Sequence, residues 1–419
     1  MIGLFYFRRR PNFGDLLSLS LIKSLTKCES VGYADLNGAD ILGAGSLLGR
    51  VYGCLNGNRE RLRNPGDRLL VWGAGFKTPV VSSGKVSGCH DLDVRALRGH
   101  LSEEILRQIG YLRDNERPVL GDPGLLYPDL VPEWRNIPKV CEVAVVPHYY
   151  DQAAGRRLCG RMKRIGIDAE FVDVSELDPL VVIRRIAGAR KILSSSLHGL
   201  IVADAMGIPN RRLIFGGHGR REASAISDFK FRDYYSAFGR EQPQVFPAEA
   251  VMRDPAAFIA SFGADDRIPT DEVEERKRAL LDSFAGCCDE LDRKRQDGVI
   301  RAGSAVRIPL RKFRIPLVFL FGNDREFICE RLDELVRFSC RSIELICVNC
   351  GSNDGTADYV RYYAVNDARI RLSQTVLKVS GIIARGLVCL DWMVVRAILR
   401  MFFWASRMRS KLQQREFVE

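Results

Sequence analysis

The stretch from Lys191 to Pro209, which reads KILSSSLHGLIVADAMGIP, constrains the fold of this chain more than any other. Lys191–Leu193 reads as a buried strand, Ser194, Ser195 and Ser196 as a polar turn, and His198–Met206 as a helix. Strand, turn and helix in that order form the opening of a βα unit, which belongs in a parallel sheet. A histidine in a first helical turn has its ring close to free backbone N–H groups, where an anion is readily held. The chain has only five histidines, so His198 is a candidate acid or base. The plain alternative is a helix-start histidine satisfied by a backbone carbonyl.

The same rhythm recurs on both sides of this unit. Ile2–Phe7, Ala39–Leu42, Leu69–Trp72 and Val119–Leu120 are strand candidates, most of them followed by glycine-rich turns. A second series runs through strand Glu142–Val146, helix Asp151–Arg164, strand Ala169–Val172 and helix Pro179–Ala187, then past His198 to strand Arg211–Phe215. The proline-containing segment Val131–Pro138 is the natural hinge. The predicted class is therefore α/β, with two Rossmann-like domains over residues 1–136 and 139–265. They would face each other in a GT-B-like pair and bind ligand at the carboxyl ends of their strands. Residues 266–314 read as a charged helix (Asp271–Gln296) and a basic linker, and 315–386 as a truncated α/β fragment. In 387–419, Arg396, Arg400, Arg407 and Lys411 share one face of a terminal helix. That pattern suits a membrane interface, or else a buried terminal helix.

The formal charge of +11 over 419 residues points to polyanionic partners or simply to a solvated basic surface. No nucleic-acid signature with interleaved aromatics is present, so phosphorylated substrates and an acidic membrane face are preferred. Twelve cysteines without regular spacing suit reduced thiols in the cytoplasm. Cys347 and Cys350 form a C-x-x-C that lacks a second ligand pair, so no metal is expected. Ile2–Phe7 is too short for a signal peptide and is followed, not preceded, by Arg8-Arg9-Arg10. No run reaches the roughly 20 apolar residues of a membrane span.

Near the N-terminus, Asn12-Phe13-Gly14-Asp15 links the first strand to helix Leu16–Thr26. Asp15 can cap that helix or accept a sugar hydroxyl at the sheet edge. Gly43-Ala44-Gly45-Ser46 and Trp72-Gly73-Ala74-Gly75 follow strands and permit close backbone approach to a phosphate. Together with Leu97-Arg98-Gly99, Leu120-Gly121-Asp122-Pro123-Gly124-Leu125-Leu126, Val146-Pro147-His148-Tyr149 and the His198 segment, this ordered series resembles the polysaccharide pyruvyl transferase family over roughly residues 1–240. The likeness is to the succinoglycan-type ketal pyruvyltransferases of exopolysaccharide assembly.

The resemblance implies phosphoenolpyruvate as donor, a lipid-linked oligosaccharide acceptor and no cofactor. It also implies a cytoplasmic enzyme, with peripheral contact at the inner membrane left open. Pyruvyl transfer needs a proton for the methylene carbon, cations for carboxylate and phosphate, and a group that handles the acceptor hydroxyl. By the resemblance, His198 is the general acid and Asp15 orients or deprotonates the acceptor. Arg98 suits the donor's anionic groups because its planar fork binds them in pairs. Asn12, Gly14 and His148 line the substrate side. The hydroxyls of Ser194, Ser195 and Ser196 either cradle phosphate or cap the helix. Many family members carry an arginine where this chain has Ser196, and Arg220 or Lys230 would replace that cation.

Ile343–Thr356 resembles the first βα unit of GT-A, family 2-like glycosyltransferases, but Asn349 and Cys350 stand where the acids belong. The carboxylates that a metal–nucleotide complex requires are therefore missing, and the fragment reads as inactive. Two other readings of the whole chain stay open. One is a GT-B glycosyltransferase using a nucleotide sugar. The other is a non-catalytic subunit of the polysaccharide assembly machinery.

Overall fold

The computed structural model describes residues 2–8, 11–28, 31–34, 36, 38–53, 68–79, 91–216, 221–241, 244–296, 315–323, 328, 332, 343–349, 351–367 and 369–373. Two compact units are present, one of residues 1–7 and 12–305 and one of residues 8–11 and 306–419.

In the first unit, six parallel strands build one sheet: β1 (Ile2–Phe5), β2 (Val31–Tyr33), β3 (Ile41–Leu42), β4 (Arg68–Ala74), β5 (Asp91–Leu97) and β6 (Val119–Leu120). Their order is β2-β1-β3-β4-β5-β6. A second parallel sheet holds β7 (Cys141–Val146), β8 (Ala169–Phe171), β9 (Ala189–Ser194), β10 (Asn210–Ile214) and β11 (Val245–Pro247), in the order β11-β10-β9-β7-β8. Each order reverses once, between β1 and β3 in the first sheet and between β7 and β9 in the second. At such a switch point the connections leave in opposite directions and open a crevice at the strands' carboxyl ends.

Local chemistry explains these elements. β7 reads CEVAVV and is buried along nearly its whole length, as a central parallel strand covered on both faces must be. α5 (Pro179–Ala187) begins with Asp178 accepting from Leu180 N at 3.0 Å and with proline at its first position, a favourable start because proline lacks an N–H that would be unpaired there. α6 (Leu197–Ala205) is buried all round, so it serves as an internal helix and not an amphipathic surface one. Its start is Leu197, one residue before the expected His198.

The sequence reading lacks β2, β5 and the three-residue β11, and for good reason. β2 is three residues with a central glycine, and Asp93 and Arg95 interrupt the apolar pattern of β5. Part of the expected hinge is a 3-10 turn over Pro132–Asn136, which follows another over Pro123–Leu130. The chain also returns from the second sheet to the first. α7 (Arg221–Ser236) brings Asp233 to the end of β5, and α10 (Thr270–Gln296) lies against β4. Trp72 Nε1 donates to Ser283 Oγ at 3.1 Å, and its ring meets Phe284 at 4.6 Å. One apolar cluster accordingly runs from Ile2, Leu4 and Phe13 through Leu125 and Tyr127 to Val146, Ile201 and Leu280.

In the second unit, three parallel strands (Ile315–Phe321, Ile343–Asn349 and Ile370–Ser373) pack with helix Thr356–Asn366 around Phe319, Leu345, Cys347 and Tyr363. Asn349 Oδ1 accepts from Gly351 N at 3.1 Å and from Ser352 N at 2.8 Å. Burial pushes the Cys347 thiol up to about 12, while Cys350, the basic linker over 297–314 and the terminal helix over 387–419 lie outside the described residues. Among the described residues, no helix is long and apolar enough to cross a membrane.

Candidate active site

Both switch points deliver chemistry to one place. The turn after β1 carries Asn12, Gly14 and Asp15 into the start of α1 (Phe13–Thr26), and the turn after β9 carries Ser194, Ser195 and Ser196 into α6 and His198. Phe13 N donates to Val174 O at 2.8 Å, which ties the start of α1 to the segment that follows β8. Gly14 then lies directly against the imidazole: a methyl group placed on it would fall 2.0 Å from His198 Nδ1. Only a glycine admits the ring there.

His198 is 8% exposed, and its Nε2 is sealed from solvent without a hydrogen-bond partner. Phe13 and Tyr127 frame the ring at 6.2 and 6.1 Å. Burial, reinforced by the positive charges of Lys230 and Arg98, pushes its pKa down to about 3. Both causes disfavour the imidazolium, the first by desolvation and the second by like charge. Asp15 responds in the opposite direction. Burial lifts its carboxyl to about 7 and the charge of Asp122 adds to this, against the hydrogen bond from Asn12 and the pull of Lys230. Asn12 Nδ2 donates to Asp15 Oδ2 at 2.5 Å, while Asn12 Oδ1 is buried and unpartnered. Near neutral pH the imidazole is therefore neutral and the Asp15 carboxyl is about half protonated.

Lys230 is half-buried and has no carboxylate within ion-pair distance among the described residues. Burial and the neighbouring charges of Arg98, Lys77 and Arg212 lower its ammonium to about 8, with Asp15 opposing. Of those cations, Arg98 is paired with Asp233 and Arg212 with Asp228, so Lys230 is the half-buried cation of the group that lacks such a partner among the described residues.

The expected free fork of Arg98 needs correction. Its guanidinium is fully buried, with Nε donating to Asp233 Oδ2 at 2.9 Å, Nη1 to Ser46 Oγ at 2.9 Å and Nη2 to the Phe76 carbonyl. Asp233 also accepts from Ser102 N and Oγ at 2.8 and 2.6 Å. Arg98 thus lends charge to the site, while its fork is held by protein groups. The glycine turns serve side chains of this chain in the same way, because methyl groups on Gly73 and Gly75 would strike Pro123 and the Arg98 guanidinium.

Two of the three serines are occupied by protein groups, most of them at the end of β7 and in the turn that follows it. Ser194 Oγ lies 2.7 Å from the Val146 carbonyl and accepts from Ser196 N at 3.0 Å. Ser195 Oγ donates to Asp151 Oδ2 at 2.8 Å and accepts from His148 N at 2.9 Å. Ser196 is the N-cap residue, yet its hydroxyl makes no cap bond. His148 is half-buried and stacks on Tyr149 and Tyr150 at 4.0 and 5.2 Å. Arg220 lies outside the described residues.

Three site residues escaped the sequence reading. Asp122 stood in plain view in the Asp122-Pro123-Gly124 turn, whose cap geometry was the available signal. Tyr127 donates to the Gly14 carbonyl at 2.8 Å and receives Ser18 Oγ at 3.1 Å, fixing the turn against the histidine. No local pattern announces that bond, nor the pairing of Asp233 with Arg98.

Two parallel βα sheets bring together a buried histidine and a buried acid, with the charges of Lys230 and Arg98 acting on the histidine. The chain belongs to the polysaccharide pyruvyl transferase family, whose sequence model matches residues 4–213. The succinoglycan biosynthesis protein ExoV of Rhizobium meliloti is 27% identical over 274 residues, covering 62% of this chain and 73% of that protein. An uncharacterized protein of Acanthamoeba polyphaga mimivirus is 30% identical over 134 residues, covering 32% of this chain and 45% of that one. The chain thus spans less than half the length of the mimiviral relative.

Proposed function

We propose that this protein transfers the enolpyruvyl group of phosphoenolpyruvate to a sugar of a lipid-linked exopolysaccharide precursor and closes a pyruvate ketal, without a cofactor. The observation that carries the reading is the sealed, unpartnered Nε2 of His198 beneath the converging charges of Lys230 and Arg98. A buried polar atom without a partner calls for an explanation, and a cluster of cations around a neutral imidazole is primed for a polyanion. Family membership and the likeness to ExoV, a succinoglycan biosynthesis protein, favour a polysaccharide acceptor. We place the reaction in the cytoplasm, between two domains that face each other in the GT-B manner. The fragment over 315–386 is read as a degenerate GT-A unit outside the chemistry.

The site's charges suggest how the steps follow one another. With no donor bound, burial and the nearby cations hold the imidazole neutral. A bound enol phosphate cancels their charge and reverses that effect, so the proton affinity of His198 rises. His198 then gives its proton to the methylene carbon, and the adjacent carbon becomes oxocarbenium-like. The acceptor hydroxyl attacks this carbon, its proton passing to the ionised fraction of Asp15, and phosphate leaves toward Lys230. A second hydroxyl closes the ketal, its proton passing to the departing phosphate.

The test is phosphate release from phosphoenolpyruvate in the presence of a pyruvylatable oligosaccharide. Wild type should release phosphate and His198→Ala should not, with its circular dichroism unchanged. Release of nucleotide from a sugar donor in place of phosphate would move the protein to the glycosyltransferases. Release of neither would make it a non-catalytic subunit.

A further inference from the structure

Among the described residues, the exposed aromatic ring is that of Tyr150, at 49%. It closes the run His148-Tyr149-Tyr150 in the turn after β7. The His148 and Tyr150 rings lie 5.2 Å apart, and Tyr149, at 4.0 and 4.3 Å from the two, packs against the core. Asp151 N donates to the His148 carbonyl at 2.7 Å and His148 N to Ser195 Oγ at 2.9 Å, so the turn has a fixed shape. A lone exposed tyrosine is ordinary, but a stacked aromatic surface at the carboxyl edge of a parallel sheet lies where ligands bind. The edge is that of His198. Val146 of β7 stands opposite Ser194 of β9, and neighbouring strands are about 4.8 Å apart. Tyr150 follows Val146 by four residues and His198 follows Ser194 by four, so both leave the sheet on the same side. Asp151 adds a carboxylate to this surface, its Oδ2 accepting from Ser195 Oγ at 2.8 Å.

We propose that Tyr150 and Asp151, backed by His148, form a subsite for a neutral sugar of the acceptor, whose apolar face stacks on the Tyr150 ring while its hydroxyls donate to Asp151. The assignment rests on the acceptor being a polysaccharide, as in the proposed function. A pyranose ring presents C–H groups on its faces and hydroxyls around its rim. An aromatic face with a carboxylate acceptor beside it meets both demands. The same carboxylate repels a phosphate, which keeps this surface for the sugar and leaves the anionic donor to the side that holds Lys230.

Tyr150→Ala and Tyr150→Phe in the full chain separate the ring from its hydroxyl. Binding of cellotetraose, maltotetraose and mannotetraose is followed by saturation-transfer NMR without phosphoenolpyruvate, and a thermal melt checks each fold. Wild type should bind at least one tetrasaccharide, Tyr150→Phe should bind it equally, and Tyr150→Ala should bind it about tenfold more weakly, the scale of one lost aromatic contact. With a pyruvylatable oligosaccharide, Tyr150→Ala should raise KM for the acceptor by the same factor and leave KM for phosphoenolpyruvate unchanged. Failure of wild type to bind any of the three, equal binding by Tyr150→Ala, or an equal loss in Tyr150→Phe overturns the assignment. So does uridine diphosphate binding that depends on Tyr150, which would give the ring to a nucleotide base. If wild type binds a tetrasaccharide through Tyr150 yet consumes no phosphoenolpyruvate, the proposed function fails and the sugar subsite stands. Should Tyr150→Ala not fold, Tyr150→Leu, apolar but without an aromatic face, repeats both measurements.

Discussion

Gly14→Ala probes the contact on which the site is built. The new methyl would fall 2.0 Å from His198 Nδ1, 2.2 Å from Cγ and 2.7 Å from Cε1. Non-bonded heavy atoms rest at about 3.5–4.0 Å, so the ring must retreat by roughly 1.5 Å. Phe13, Tyr127 and the Gly124 turn stand around it, and the retreat has to distort one of them. A displacement of 1 Å at a reacting group costs about 10²-fold in rate. Stability changes far less. Overpacking costs about 1–3 kcal/mol, and removing a glycine from the first turn of α1 returns up to about 1 kcal/mol. The variant should therefore melt within a few degrees of wild type while its turnover falls at least a hundredfold, on the displacement scale just given. Phosphate release and a thermal melt on the same preparation check this. Turnover equal to wild type in a folded Gly14→Ala protein would refute the claim that Gly14 seats the imidazole.

Three further outcomes follow from the same geometry. Arg98→Ala leaves Asp233 buried without its cation and should lower stability by about 3–5 kcal/mol, as read by denaturant unfolding; an unaffected midpoint would return Arg98 to donor binding alone. Lys230→Ala removes the unpaired cation and should raise KM for phosphoenolpyruvate about 10–100-fold, the worth of one charge-assisted hydrogen bond, and an unchanged KM would place the donor elsewhere. Asp15 has a folded pKa raised to about 7 from 3.8, so its contribution to stability is complete below pH 3.8 and is lost as pH rises through about 7. Asp15→Asn should accordingly flatten the decline of stability between pH 5 and 8, measured by chemical denaturation across that range; an identical slope in both proteins would show that Asp15 does not titrate there.

How far the chain could be read without its structure is clear from particular residues. Periodicity located strand Cys141–Val146 and helices Pro179–Ala187 and Leu197–Ala205 to within a residue or so, because burial on both faces and proline-capped starts are written locally. The same local rules placed His198 in a first helical turn and Asp15 after the first strand. They failed at Val31–Tyr33 and Asp91–Leu97, where short length, glycine and charged residues mask the apolar pattern. They also failed at Arg98, which chemistry alone recommends for a ligand.

The order of βα units, the residue types at the strand ends and the position of His198 at the head of its helix were settled by the sequence itself. Each depends on interactions within a few residues. The meeting of Gly14 with the imidazole, the hold of Asp233 on Arg98 across 135 residues and the bond from Tyr127 to the Gly14 carbonyl were settled by tertiary structure. They depend on which strands neighbour one another, and a reversal of strand order at two switch points is a property of the assembled sheets that no local segment encodes.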